Sequence, residues 1–496
     1  MLFPTATFAF FFFGVFIASW ALYTRPETRK LLLVTASYVF YGWWDWRFMT
    51  LLAGSSTLNY VAGKLIAASG DPKMRRRIVI VAVALNLGVL GIFKYYNFFI
   101  DSLTDILVAL DWQRDLPFLE IILPIGISFF TFHGISYITD VSRGHVAPAR
   151  SPVDLFLYIS FFPQLVAGPI VRASHFLPQL ERQPDLSRTA LAFGLLLVLN
   201  GMLKKTVIAH YIAVDLVDPV FAQPDIASSG DLIAAHYAYA VQVYCDFSAY
   251  SDIAIGIAAL LGYRFRKNFD RPFAATSLQQ LWQRWHISLS TWLRDYLYRA
   301  LRGAKRDAGW RMYRNIFLTM LLGGLWHGAN WTFVLWGAIH GLGLGLERFI
   351  KTRWHAFKTA RAAATPPLPS RRPGAAQPPA DTAATWIGAV AGWFITFHLF
   401  TLSAIFFRSP DIDTAWVYYA KMLSFTGGFE TFTPFLLLLT AGAVAVQFLP
   451  GNLFERAAGK LRDAPALVHG LMLGGGLVLI DIAGPEGVAP FIYFQF

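Results

Sequence analysis

Apolar runs of about 20 residues recur along most of this chain, and each is long enough to cross a hydrocarbon core of roughly 30 Å. In lipid every backbone N–H and C=O needs a partner within the protein, so runs of this length imply helices and not a barrel. Of the 496 residues, 56% are hydrophobic and only 15% are charged, which excludes an ordinary soluble domain. Trp and Tyr gather near the ends of the runs, as an interfacial aromatic belt requires. The expected fold class is an all-α polytopic membrane protein.

Charge sits in short loops between the runs, where it sets orientation. Basic groups such as Arg75–Arg77, Arg264–Arg271 and Lys351–Arg361 alternate with acidic ones such as Asp101–Asp115, Asp215–Asp231 and Asp411–Glu430. Placing the basic loops in the cytoplasm gives about twelve spans with both termini outside. The net charge of +12 is therefore an orientation signal, and no nucleic-acid partner is expected. The lone cysteine, Cys245, cannot form an intramolecular disulfide. Leu2–Tyr23 lacks a basic leader and a small-residue cleavage site, and reads as an uncleaved first span. Segment 152–172 carries Pro163, Gly168 and Pro169 and fits a broken or re-entrant element, tolerated at membrane depth only where it is buried or lines a cavity. Residues 359–385 are Ala/Pro-rich and read as a flexible cytoplasmic linker between a helical core, 1–358, and C-terminal transmembrane helices, 386–496.

Two segments carry candidate chemistry. In 282–296, Trp282, Trp285, Leu289, Trp292 and Tyr296 share one helical face, which describes a helix lying in the membrane interface. His286 within it is either a hydrogen-bonded structural residue or a functional one. Segment 312–350 is too long for one span and reads as a hairpin with its bend near Trp326–Trp331. That puts His327 near membrane depth, where ionisable groups are functional candidates by default and desolvation keeps an imidazole in the neutral form a general base requires. His340, on the second arm, is expected to be structural. Asp246 and Asp252 lie inside a long apolar run and are expected to serve as structural ion pairs with arginines from 264–302, or to act directly in catalysis. Gly337, Gly341 and Gly345 have small-xxx-small spacing, which suits close helix packing. No dense Cys/His metal cluster is present in the sequence.

Taken together, Tyr41–Phe48 (YGWWDWRF), Leu123–Gly144, Phe161–Arg172, Tyr244–Gly256, Trp282–Tyr298, Leu325–Asn330 and the terminal Phe491–Phe496 (FIYFQF) resemble the membrane-bound O-acyltransferase (MBOAT) superfamily. The resemblance is to its bacterial branch of alginate O-acetyltransferase membrane subunits and teichoic-acid D-alanyl transfer proteins. It implies a ring of helices, with re-entrant and interfacial elements, around a central funnel. It further implies that His327 is the catalytic histidine and His286 a second functional position.

The donor implied is acetyl-CoA, used as substrate with no bound cofactor or metal. Arg302, Lys305 and Arg306 are expected to contact its phosphates, although Arg299–Arg306 departs from the usual sequence of this loop. The terminus is similar to the end of a small partner peptide whose tyrosine is proposed to carry the acyl group. Tyr493 is thus either an acyl relay or part of an aromatic plug or anchor. The chain is expected in a bacterial inner membrane, acting on an exported, alginate-like polysaccharide with a periplasmic SGNH-type acetyltransferase as partner. The alternatives are another envelope acceptor or a non-enzymatic transporter or scaffold. A transporter should show repeats with paired broken helices, and none is evident.

Overall fold

A computed structural model describes all residues except 113, 115, 185–186, 304–308, 365–381, 486 and 488–496. The described residues form helices joined by turns and extended segments, with no strand among them. By length and composition, six helices can cross a membrane: Pro72–Ala109, Ala190–Ala222, Ser229–Leu260, Trp331–Arg361, Trp386–Arg408 and Ala466–Ala483. A seventh is counted if Pro434–Phe448 and Leu453–Leu461, bent by 82°, form one broken span. The expected count of about twelve is not confirmed among the described residues, where several apolar runs fold as short helices or non-helical backbone. The run at 118–140 is helical only from Ile127, and the run at 152–172 is divided.

That division is as the prolines and glycine suggest. Helix Pro152–Ser160 is followed by the short helix Phe162–Leu165, then by extended chain to the helix Ala173–Leu180. Leu155, Leu157, Phe161, Phe162 and Leu165 are wholly buried in protein, which is what lets irregular backbone survive away from water. The Ile170 amide donates to the Ser288 hydroxyl at 3.0 Å, tying this segment to the stretch that carries His286.

The hairpin forms where expected. Helix Trp310–His327 breaks at Gly328–Asn330 and returns as Trp331–Ala364. Its two arms touch through glycine. A Cβ on Gly337 would lie 2.5 Å from the Met320 carbonyl, and one on Gly324 would run into the Phe333 carbonyl and lie 2.9 Å from the Gly337 Cα. Gly324→Ala should therefore cost about 1–3 kcal/mol by overpacking, read as a lower thermal midpoint in detergent. Gly345→Ala, whose Cβ meets nothing nearer than 3.9 Å, is the neutral control. Equal midpoints for the two variants would mean that the arms are free to part.

Ser229–Leu260 is the axis of the molecule and almost wholly buried. The helices after the linker pack on it and on Arg188–Met202, so residues 386–483 are continuous with the main body. Of the proposed linker, 359–364 extend the second arm of the hairpin and 382–385 begin the helix Thr382–Arg408; residues 365–381 lie outside the described residues. Two basic groups of the helix Pro26–Gly42 are partnered inside the protein. Arg29 is buried and donates to the Leu261 carbonyl at 2.6 Å and the Tyr263 hydroxyl at 3.0 Å, while Lys30 pairs with Asp154 at 2.8 Å.

Candidate functional site

His327 is the last residue of its helix, and its ring is enclosed by Trp326, Trp336 and Phe407, with centroids 5.0, 5.2 and 5.2 Å away. It lines a cavity of about 660 Å³ shared with Met1, Tyr41, Lys94, Ser128 and the non-helical segment Leu123–Gly126. Gly126 turns the chain here with φ 79°, and a Cβ on it would sit 2.5 Å from the Leu165 carbonyl, so the close approach of the broken segment requires glycine. The non-helical backbone inferred from sequence thus borders the cavity that holds His327.

The sequence reading missed Lys94. It lies in a π-helical turn, Gly91–Tyr95, and its ammonium donates to the Trp326 carbonyl and, at 3.1 Å, to the His327 carbonyl. The Tyr95 hydroxyl donates to the Leu325 carbonyl at 3.0 Å. A helix ends with unpaired carbonyls and partial negative charge, which a lysine satisfies on both counts. A lone lysine within the apolar run LNLGVLGIFKYYNFF was the available signal.

His286 is wholly buried beside Trp326, its ring centroid 6.1 Å from that indole and 4.5 Å from Phe247. Trp326 therefore has both histidine rings as neighbours. The stretch carrying His286 is not one continuous interfacial helix. Helix Leu278–Arg284 ends, His286 adopts the left-handed conformation (φ 41°, ψ 55°), and a new helix runs Ile287–Trp292. The break is held by Asn268, whose backbone carbonyl accepts from the Ile287 amide at 2.8 Å and whose side chain accepts from the Ser288 amide at 3.1 Å.

Trp282, Trp285, Leu289, Trp292 and Tyr296 are all buried against protein, so the shared aromatic face of this interfacial stretch is a packing face. Phe132 stacks between Trp292, at 3.7 Å, and Trp326, at 5.4 Å. Neither nitrogen of His286 has a hydrogen-bond partner among the described residues. Buried His133 and His236 share that property, so it is the position beside Trp326 that distinguishes His286.

A second cavity, about 320 Å³, lies along the other half of the same helix. Met312, Ile316, Thr319 and Met320 line it, facing Arg294, Tyr298 and Arg348. From Met320 to Trp326 the helix rises about 9 Å. Neighbouring Asp295 gathers Arg294, Arg299 and Arg172 at 3.0, 3.5 and 3.6 Å. Burial works to raise the Asp295 carboxyl, but the bond from Arg294 and the charges of all three arginines hold it below the usual carboxylate range. Arg302 is exposed at the end of the helix Arg299–Arg302, while Lys305, Arg306 and Tyr493 lie outside the described residues.

The remaining candidates are held by partners within the protein. The His340 ring makes a 3.0 Å hydrogen bond with the Ser403 hydroxyl, as expected of a core histidine. Asp246 pairs with Lys205 at 2.6 Å and Asp252 with Lys204 at 2.5 Å. The partners are lysines of the π-helical segment Leu203–Ala209, not arginines of 264–302: that turn lies directly against the Ser229–Leu260 helix.

The model of the membrane-bound O-acyltransferase family, MBOAT, matches residues 126–371, a stretch that holds both histidines. The chain is 40% identical over 428 residues to the probable alginate O-acetylase AlgI of Pseudomonas aeruginosa, covering 86% of this chain and 75% of that protein. It is 39% identical over 528 residues to the protein of the same name in Pseudomonas putida, covering both chains fully. To the peptidoglycan O-acetyltransferase of Helicobacter pylori it is 34% identical over 444 residues, covering 83% and 77%. With its apolar helices and this likeness over most of its length, the chain belongs to the membrane-bound O-acyltransferase family and is a multi-pass membrane O-acyltransferase.

Proposed function

We propose that the chain takes acetyl from cytoplasmic acetyl-CoA and moves it across a bacterial inner membrane for O-acetylation of an exported, alginate-like polysaccharide. The observation that carries this reading is the helix Trp310–His327, which meets one cavity along its first half and another at its last residue. The first cavity neighbours the basic loops, which the positive-inside rule assigns to the cytoplasm. Arg294 and Arg348 there, with Arg302, Lys305 and Arg306, would pair with the phosphates of CoA. The second cavity borders the acid-leaning side and would receive the hydroxyl.

His327 would take the proton from that hydroxyl as its oxygen attacks the thioester carbonyl. The C–S bond then breaks, and the departing CoA thiolate recovers the proton from the imidazolium. His286, beside Trp326, would assist by fixing the ring wall against which His327 rests. The same chemistry serves if the first hydroxyl is the phenol of Tyr493: the acetyl would then pass to a periplasmic SGNH-type transferase. Likeness to a peptidoglycan O-acetyltransferase keeps a second envelope glycan as the alternative acceptor.

The test is intact mass of the C-terminal peptide, with CoA release measured in parallel, after incubating detergent-purified protein with acetyl-CoA. Acetylation of Tyr493 in wild type but not in His327→Ala is the expected result. CoA release without that mass shift would sink the relay and leave the transferase. Neither signal, even with the glycan present, would sink the acetyl-CoA reading.

A further inference from the structure

The attack assigned to the acceptor hydroxyl moves negative charge onto the former carbonyl oxygen. In an enclosed site that charge needs fixed donors aimed at it. The cavity that holds His327 is bordered by the first turn of the helix Ile127–Ser142: Gly126, Ile127, Ser128 and Phe129 all line it. A helix start carries unpaired amides and partial positive charge. The Phe129 ring packs 5.9 Å from that of Trp326, so this turn abuts the end of the helix that carries His327.

The turn is left open at one residue. A capping side chain normally accepts from the second or third amide of a helix, and Gly126 has none to offer. The Ile127 amide donates to the Pro124 carbonyl at 3.1 Å, and the Phe129 and Phe130 amides to the Gly126 carbonyl at 2.9 and 3.1 Å. Neither the amide nor the hydroxyl of Ser128 has a hydrogen-bond partner among the described residues, although Ser128 is only 7% exposed. Two other donors on the cavity wall are committed: Lys94 to the Trp326 and His327 carbonyls, and Thr5 to the Leu2 carbonyl at 2.7 Å. A buried serine with both donors unspent, set at the positive end of a helix, suits an anion.

We infer that the first turn of Ile127–Ser142 is the oxyanion site of the transfer, with the Ser128 amide and hydroxyl as its donors. This deepens the acetyl-CoA reading and rests on it. As the acceptor oxygen bonds to the acetyl carbon, the π pair of the C=O moves onto the carbonyl oxygen and the acceptor's proton passes to His327. The two donors bond that oxygen more strongly as its charge grows, so they favour the transition state over the bound thioester. The pair then returns to re-form the C=O, the C–S bond breaks, and the thiolate takes the proton from the imidazolium. His327 and Ser128 thus answer opposite charges of one step.

The experiment measures initial rates of CoA release against acetyl-CoA concentration, with the full-length protein in detergent and an alginate oligosaccharide present. Ser128→Ala should lower kcat by about 10²–10³-fold with KM little changed, the effect of removing one oxyanion donor. Its thermal midpoint should match that of wild type. Ser128→Thr, which restores the hydroxyl, should recover most of the rate. If Ser128→Ala lowers the midpoint as well, Ser128→Cys decides: it keeps the side-chain size, offers a weaker donor, and should lose kcat at an unchanged midpoint. A kcat within a few-fold of wild type in Ser128→Ala overturns the proposal, as does a threonine variant that folds as wild type but is no faster than the alanine one. Acetylation of Ser128 itself in wild type, read by peptide mass, would make it a nucleophile and also overturns it. In each of those cases CoA release by wild type leaves the acetyl-CoA reading standing. No release by wild type removes that reading and the oxyanion site with it.

Discussion

His327→Ala is expected to lower acyl-CoA-dependent transfer by about 10²–10⁴-fold, the usual contribution of a positioned general base. The loss should appear in kcat, because no cavity contact with donor or acceptor other than the imidazole is removed. The fold should survive. His327 ends its helix beside an existing cavity, and Trp326, Trp336 and Phe407 stand without it. The helix end is held through backbone carbonyls by Lys94 and Tyr95, which the substitution leaves in place. Initial rates of CoA release, measured beside the thermal midpoint in detergent, give the answer. A rate within a few-fold of wild type at an unchanged midpoint would make His327 a structural residue. His327→Gln, which keeps bulk and hydrogen bonding but cannot accept a proton in the same way, should be as inactive as the alanine variant.

The hairpin and its histidine were legible because they rest on local signals. Two apolar arms flanked by basic loops, with glycines and Asn330 between them, allow little but a turn. Pro163, Gly168 and Pro169 marked the broken segment for the same reason: they act on their own backbone. What the sequence could not reveal depends on distant partners. Lys94 is 232 residues from the Trp326 carbonyl it caps, and only folding joins them. The aromatic stripe from Trp282 to Tyr296 has the periodicity of a helix lying in the membrane interface, but periodicity reports that a face is buried and not what buries it. Here Phe132 and Trp326 do so, and Asn268 stabilises a break at His286 that no proline or glycine announces. The broken run 152–172 is apolar for the same reason: it is enclosed by protein.

Lys205→Ala and Asp246→Ala are each expected to destabilise the protein by about 3–5 kcal/mol, the cost of stranding a buried charge. The pair is the most enclosed of the ion pairs among the described residues, its side chains 2% and 4% exposed at 2.6 Å, with the Tyr250 ring 5.7 Å from the ammonium. It joins the π-helical turn at Leu203–Ala209 to the central helix Ser229–Leu260, on which the C-terminal helices also pack. A lost partner therefore loosens the scaffold and not only one contact. The double variant Lys205→Met/Asp246→Leu removes both charges at similar volume and should recover most of the stability, because no unanswered charge remains. Thermal midpoints of the four proteins in one detergent complete the cycle. If Asp246 takes part in transfer directly, the double variant will be stable and inactive. If its role is to hold the two helices together, stability and transfer will return together. The second outcome is expected: Asp246 is occupied by Lys205 and does not line the cavity that holds His327.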